Sequence, residues 1–145
     1  MIPLEFTIYG KPQGKARART FYNPRLGRTQ SITPEKTVLY ENLIKQCYMI
    51  ADEKESWFNG EPLQMIISAY YEIPKSTTKK KRAEIMDGKL YPTKKPDADN
   101  IAKVICDALN KIAYKDDTQI IDLTVRKLYS ADLPKVVVEI YEKEL

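Results

Sequence analysis

The chain has 145 residues and a mass of 16.8 kDa, room for one hydrophobic core and not for two. It contains no His, which excludes a Ser-His-Asp triad, a His-based nuclease, a His-ligated zinc site and a phosphohistidine intermediate. The net charge of +4 suggests only a mildly basic protein, but the charge is unevenly spread.

Residues 11–28 hold six basic side chains and no acid, and residues 75–95 hold eight against Glu84 and Asp87. Each segment carries +6, so the remaining residues sum to −8. Charge sorted in this way points to a polyanionic partner. No apolar run approaches the ~20 residues of a membrane span, and the charged start and apolar stretch of a signal peptide are missing. Cys47 and Cys106 fall within apolar helical patterns and read as reduced core thiols. A cytoplasmic protein with no membrane partner is expected.

In chain order, residues 3–9 alternate, with Leu4, Phe6 and Ile8 on one face, which predicts a strand ended by Gly10. Residues 11–30, basic and broken by Pro12, Gly14, Pro24 and Gly27, read as a loop or irregular arm. Thr33 before Pro34 reads as an N-cap and first helical residue. The helix should reach about Glu53, with an apolar stripe of Val38, Leu39, Leu43, Cys47 and Ile50. Asn59 and Gly60 make a turn, and residues 63–72, rich in β-branched and aromatic side chains, predict a strand.

Residues 77–86 suit a short basic helix turned by Asp87 and Gly88, while Pro92 and Pro96 keep the next segment extended. A second clear helix begins at Asp99. Residues 117–130 and 135–142 predict two strands that pair across the turn at residues 131–134. This order, with no repeat or linker, predicts one α+β domain over residues 1–145, a small mixed β-sheet with two main helices.

The chemistry lies in residues 95–110 and 116–120. At about 100° per residue, Ile101, Val104, Ile105, Ala108, Leu109 and Ile112 share one side of the second helix, and Asp99, Asn100, Lys103, Asp107 and Asn110 the other. Asp97 and Asp99 straddle Ala98, so in extended backbone their carboxylates point the same way. Lys103 follows Asp99 by one helical turn. Each of these alone is an ordinary cap or surface pair; the second acidic pair, Asp116 and Asp117, makes the combination informative. Asp117 shares strand parity with Ile121, Leu123 and Val125, which places it at the mouth of the buried face. A divalent cation shared with Asp97 and Asp99 would offset the cost of a carboxylate there. For the chain to return to the helix start, the helix must end by about Ile112.

Residues 10–15 look superficially like a phosphate-binding loop. One residue too few separates the glycines, and Ala16 stands where a metal-binding hydroxyl is needed, so no nucleotide cofactor is expected. The missing His and the lack of paired Cys argue for a hard, oxygen-ligated ion over zinc. Lys11, Lys15, Arg17 and Arg19, with Lys79, Lys80, Lys81 and Arg82, are candidate DNA-binding side chains that would grip phosphates. The competing reading of residues 79–82 is a solvated, partly disordered loop. Phe21 and Tyr22 suit either stacking on unpaired bases or burial in the core.

The run Lys95-Pro96-Asp97-Ala98-Asp99-Asn100, then Lys103, then Asp107-Ala108-Leu109-Asn110, then Asp116-Asp117-Thr118-Gln119-Ile120 resembles the RusA family of Holliday junction resolvases, common in prophages. Residues 10–19 resemble the basic N-terminal motif of many members. The resemblance implies a RusA-like fold, a homodimer with two sites, and paired phosphodiester hydrolysis in a four-way DNA junction during recombination and repair. It also implies Mg²⁺, with Mn²⁺ able to substitute, held by Asp97, Asp99 and Asp117, with Lys103 assisting catalysis and Asn100 supporting the site or the DNA. The competing reading is a non-catalytic nucleic-acid-binding protein whose acidic motif only caps a helix.

Overall fold

A computed structural model describes residues 4–52 and 58–143. The first strand, β1, spans Leu4–Tyr9 and buries Phe6 and Ile8, as the alternation predicts; residue 3 lies outside the described residues. The basic segment is not an irregular arm throughout. Its second half folds into an antiparallel hairpin of β2 (Arg19–Asn23) and β3 (Arg28–Ile32). Asn23 accepts the amides of Leu26 and Gly27 at 3.2 and 2.9 Å, and Gly27 supplies the left-handed residue (φ +63°) that turns the chain. Neither strand has a buried residue, so no apolar alternation marks the ribbon in sequence.

Helix α1 spans Glu35–Ala51, and the expected end at Glu53 lies outside the described residues. Its N-cap is Pro34, whose carbonyl accepts Thr37 N–H at 3.0 Å, and no side chain caps it, so Thr33 does not play the expected part. The expected stripe is also displaced. Thr37, Tyr40, Ile44 and Tyr48 are buried, while Val38, Leu39, Leu43 and Ile50 are exposed. Tyr40, Ile44 and Tyr48 form the row of α1 that packs into the core; Tyr48 meets Phe6 edge to face at 5.9 Å.

Strand β4 (Leu63–Tyr71) is the centre of a four-stranded mixed sheet of order β1-β6-β4-β5. After it come α2 (Lys79–Met86), α3 (Ala98–Leu109), a single 3₁₀ turn at Asp117–Gln119, β5 (Ile120–Tyr129) and β6 (Lys135–Glu142). β5 and β6 therefore do not form the expected hairpin. β5 runs parallel to β4 and β6 antiparallel to it on the other side. β4 is the most completely buried strand, and placing it between the other two satisfies its backbone groups on both edges. The chain crosses the end of β4 between them, where Ser130 N donates to Tyr71 O at 2.8 Å.

One sheet face carries Phe6, Ile8, Met65, Ile67, Val136, Val138 and Ile140 into a core shared with α1 and α3. α3 buries Ile101, Ala102, Val104, Ile105, Ala108 and Leu109, each large side chain contributing ~1.5–3 kcal/mol. It ends at Leu109, within the expected limit, because Asn110 takes extended backbone and Lys111 has φ +64°. Cys47 and Cys106 are free, part-buried thiols. No helix among the described residues is long and apolar enough to cross a membrane.

Candidate active site

Asp97 is the N-cap residue of α3: its carbonyl accepts Ile101 N–H at 3.0 Å, yet its side chain makes no capping hydrogen bond. The carboxylate, exposed at the helix start, is thus not spent on the routine role its position suggests. Asp99 and Lys103 follow, both exposed on the polar side of the helix. The i, i+4 ion pair between them is not formed, and Lys103 makes no salt bridge among the described residues.

The segment before Asp97 is held from the sheet. Tyr71 Oη donates to Pro96 O at 2.7 Å, and Lys127 Nζ donates to Lys94 O at 2.6 Å while lying 5.2 Å from the Tyr71 ring centroid. The Lys95-Pro96 peptide is cis. Burial, then the Asp97 charge, push the Tyr71 hydroxyl up to about 12, so it remains a donor at neutral pH.

The first half of the basic segment is fitted against this start. Gly14 lies so close that a β-carbon there would stand 2.9 Å from Asn100 Cβ and 3.0 Å from Pro96 Cβ. Lys15 N donates to Asn100 O at 3.0 Å, and Ala16 N to Thr37 Oγ1 at 3.4 Å. Lys15 Nζ sits 3.2 Å from Glu41 on α1 and 3.3 Å from Asp107 on α3, with its side chain only 19% exposed. It thus joins three elements. Beyond it a cavity of about 910 Å³ is lined by Lys15, Arg17, Arg19, Lys95, Asp97 and Asn100, among others. Arg17 and Arg19 make no ion pair among the described residues and line the same cavity as Asp97 and Asn100.

The second acidic pair sits elsewhere. Asp116 caps the 3₁₀ turn, its carboxylate accepting Thr118 N–H at 3.1 Å, and Gln119 Oε1 accepts Asp116 N–H at 3.0 Å to complete a capping box. Asp117 N donates to Asn110 Oδ1 at 3.1 Å. The strand parity expected for Asp117 does not hold: the residue is in the turn, and Ile121 and Leu123, expected to face the core with it, are 60% and 45% exposed on β5, whereas Ile120 lies opposite Leu63. Asp117 is held above the usual carboxylate range by burial, then by its hydrogen bond and repulsion with Asp116, with Asp107 adding further repulsion. Asp116 is held below it, first by the Thr118 amide. The neighbours of Asp117 are therefore Asp107, Asn110 and Cys106, towards the end of α3.

Asp97 and Asn100 share the basic cavity, whereas Asp99, Lys103 and Asp117 are not part of its wall. Three aspartates would suit a hard cation chemically. As placed, however, no group of three or more Asp, Glu or Cys side chains among the described residues stands close enough together to hold an ion.

Of the remaining basic candidates, Lys11 lies 3.9 Å from Glu72 at the surface. Lys79, Lys80, Lys81 and Arg82 form the exposed start of α2, capped by Thr78, whose Oγ1 accepts Lys81 N–H at 3.2 Å; this segment is a helix, not a loop. Sequence reasoning missed Tyr71, Glu41 and Asn110 as parts of the site. Asn110 stood within the motif, but Tyr71 and Glu41 carry no local signal, because their partners are 25 and 26 residues away.

Comparison with known proteins agrees with the motif. The family model for endodeoxyribonuclease RusA matches residues 9–141. The chain is 37% identical over 143 residues to "Uncharacterized protein YqaN" of Bacillus subtilis (strain 168), covering 96% of each chain. With the match running from the end of β1 to the end of β6, the chain belongs to the RusA family of endodeoxyribonucleases.

Proposed function

We propose that this protein is an endonuclease that resolves four-way (Holliday) DNA junctions by phosphodiester hydrolysis, in recombination and repair. The observation that carries this reading is one open cavity lined both by Asp97, whose carboxylate makes no capping hydrogen bond, and by Arg17 and Arg19, which make no ion pair among the described residues. A phosphate drawn between the two guanidiniums would be presented to the Asp97 and Asn100 wall. Lys15 holds that wall and the arginines in register through Glu41 and Asp107. Lys103, free of ion pairs among the described residues, would add positive charge beside the attacked strand. The α2 lysines and Arg82 would grip phosphates farther away.

Mg²⁺, or Mn²⁺ in its place, is the cofactor expected with this reading, and Asp97, Asp99 and Asp117 are its candidate donors. Because these side chains do not gather around one point, no step of the reaction is assigned to the ion. Cutting two opposed strands also calls for a second copy of the chain. The exposed Val38, Leu39, Leu43 and Ile50 of α1 are the apolar surface offered to it, and light scattering at twice the monomer mass would support that pairing.

The scattered carboxylates favour one competing reading, a protein that binds DNA without cutting it. Incubation with a labelled synthetic four-way junction and with linear duplex, in Mg²⁺ or EDTA, separates the two. The nuclease reading expects nicks in the junction with Mg²⁺, none with EDTA, and none from Asp99→Asn although that variant still binds. A wild-type protein that holds the junction intact in Mg²⁺ is a binding protein only.

A further inference from the structure

The β2–β3 ribbon pairs with no other strand among the described residues. It forms a separate two-stranded sheet, and neither strand buries a residue, whereas isolated two-stranded hairpins are marginally stable at best in water. Its composition is specific. No acid occurs in residues 11–34, and Arg25 and Arg28 at the turn, like Arg17 and Arg19 at the foot, make no ion pair among the described residues. Between them stand Phe21 and Tyr22, 41% and 64% exposed. Solvated aromatic rings flanked by unpaired arginines are the components of a base-stacking platform.

Register gives the platform a direction. Arg19, Phe21 and Asn23 alternate onto one face of the ribbon, opposite Ile32, Gln30 and Arg28, and Tyr22 lies on the other face opposite Thr29. Arg19 also lines the cavity that holds Asp97 and Asn100. The Phe21 face therefore continues the basic wall of the candidate active site. The Asn23 amide, which could otherwise read base edges, is engaged within the ribbon: its Nδ2 donates to Gln30 Oε1 at 2.9 Å, and its Oδ1 accepts Arg25 N–H at 3.0 Å. That leaves the ring of Phe21 as the group free to meet a base.

We infer that the β2–β3 ribbon is a branch-recognition element in which Phe21 stacks on an unpaired base at the centre of branched DNA while Arg19 and Arg28 hold the adjoining phosphates. The inference rests on the nuclease reading for its substrate, and it assigns discrimination between branched and linear DNA to a ring outside the acidic motif.

The test uses the full-length protein in Ca²⁺ and a four-way junction carrying 2-aminopurine at the branch, beside linear duplex of the same sequence. Wild type should alter the 2-aminopurine fluorescence. Phe21→Ala and Phe21→Leu should lose that change and bind the junction about 5- to 150-fold more weakly, with duplex affinity kept. Phe21→Leu preserves apolar bulk, and an unchanged thermal transition in both variants shows that the core is intact. Tyr22→Ala, on the opposite face, should remain close to wild type. Arg28→Ala should weaken junction and duplex alike and flatten the salt dependence by about one unit of slope. The inference is overturned if the Phe21 variants bind the junction as wild type does, if they lose both DNAs equally, or if Tyr22→Ala is as damaging. A wild type that binds no junction removes the nuclease reading and this inference together, whereas a wild type that cuts the junction beside silent Phe21 variants removes this inference alone.

Discussion

Gly14 and Asn100 are in such close contact that the arm and the start of α3 leave no space for a β-carbon between them, 2.9 Å being the distance it would have from Asn100 Cβ. The glycine here serves approach, not a left-handed turn, since its φ is not positive. Gly14→Ala is expected to force the arm away from the Pro96 to Asn100 wall. Urea unfolding should show a loss of ~1–3 kcal/mol. Junction cleavage should fall on the order of 10²-fold, because the arginines and Asp97 are displaced relative to one another. Cleavage at the wild-type rate would show that this contact does not set the geometry of the site.

The sequence suggests that Lys15 is one more phosphate contact, and its surroundings argue for a different role. With Glu41 and Asp107 both within 3.3 Å, its charge is already committed. Lys15→Met should leave two part-exposed carboxylates without a cation and cost ~1–2 kcal/mol, between the values for surface and buried pairs. Lys15→Arg should recover part of this loss. The salt dependence of DNA binding distinguishes the roles. A phosphate-gripping lysine lowers the slope by about one when removed, whereas the Lys15→Met slope is expected to stay at the wild-type value while turnover drops.

Tyr71 fixes the carbonyl of Pro96 and so the residue that precedes Asp97. Tyr71→Phe removes one hydrogen bond, worth ~1 kcal/mol, and leaves the buried ring in place. Steady-state cleavage should show a lowered kcat with KM little changed, since DNA affinity resides in other side chains. A change in KM alone would move Tyr71 from positioning the site to binding the substrate.

Cys106 reports on Asp117. Its thiol is pushed up to about 11, chiefly by burial and then by the negative charges of Asp117 and Asp107. It should therefore stay protonated and resist iodoacetamide at pH 8 in the folded protein, while reacting readily in urea. Replacing Asp117 with Asn removes one of those charges, which favours the thiolate and lowers the thiol's pKa. Alkylation of Cys106 in Asp117→Asn should accelerate several-fold, read by mass spectrometry. An unchanged rate would separate Asp117 from the end of α3.

Local pattern determined much of this protein. The alternation of Phe6 and Ile8, the amphipathic period of α3 and its end before Ile112, the Thr78-capped basic helix and the spaced Asp, Asn and Lys residues of the family motif all depend on neighbours within a few residues. Such information is complete in the sequence. The buried side of α1 was decided by which of two apolar rows matched Phe6 and the sheet, and Tyr40 and Tyr48 outcompeted Val38, Leu39 and Ile50. Likewise, β4 entered between β5 and β6 because its two apolar faces and two unpaired edges required neighbours on both sides. The ion contacts of Lys15, the grip of Tyr71 on Pro96 and the position of Asp117 beside Asp107 join residues distant in the chain. They exist only once the core has set α1, α3 and the sheet at fixed separations, which is why the tertiary structure, and not the motif, distributes the acidic side chains between the two ends of α3.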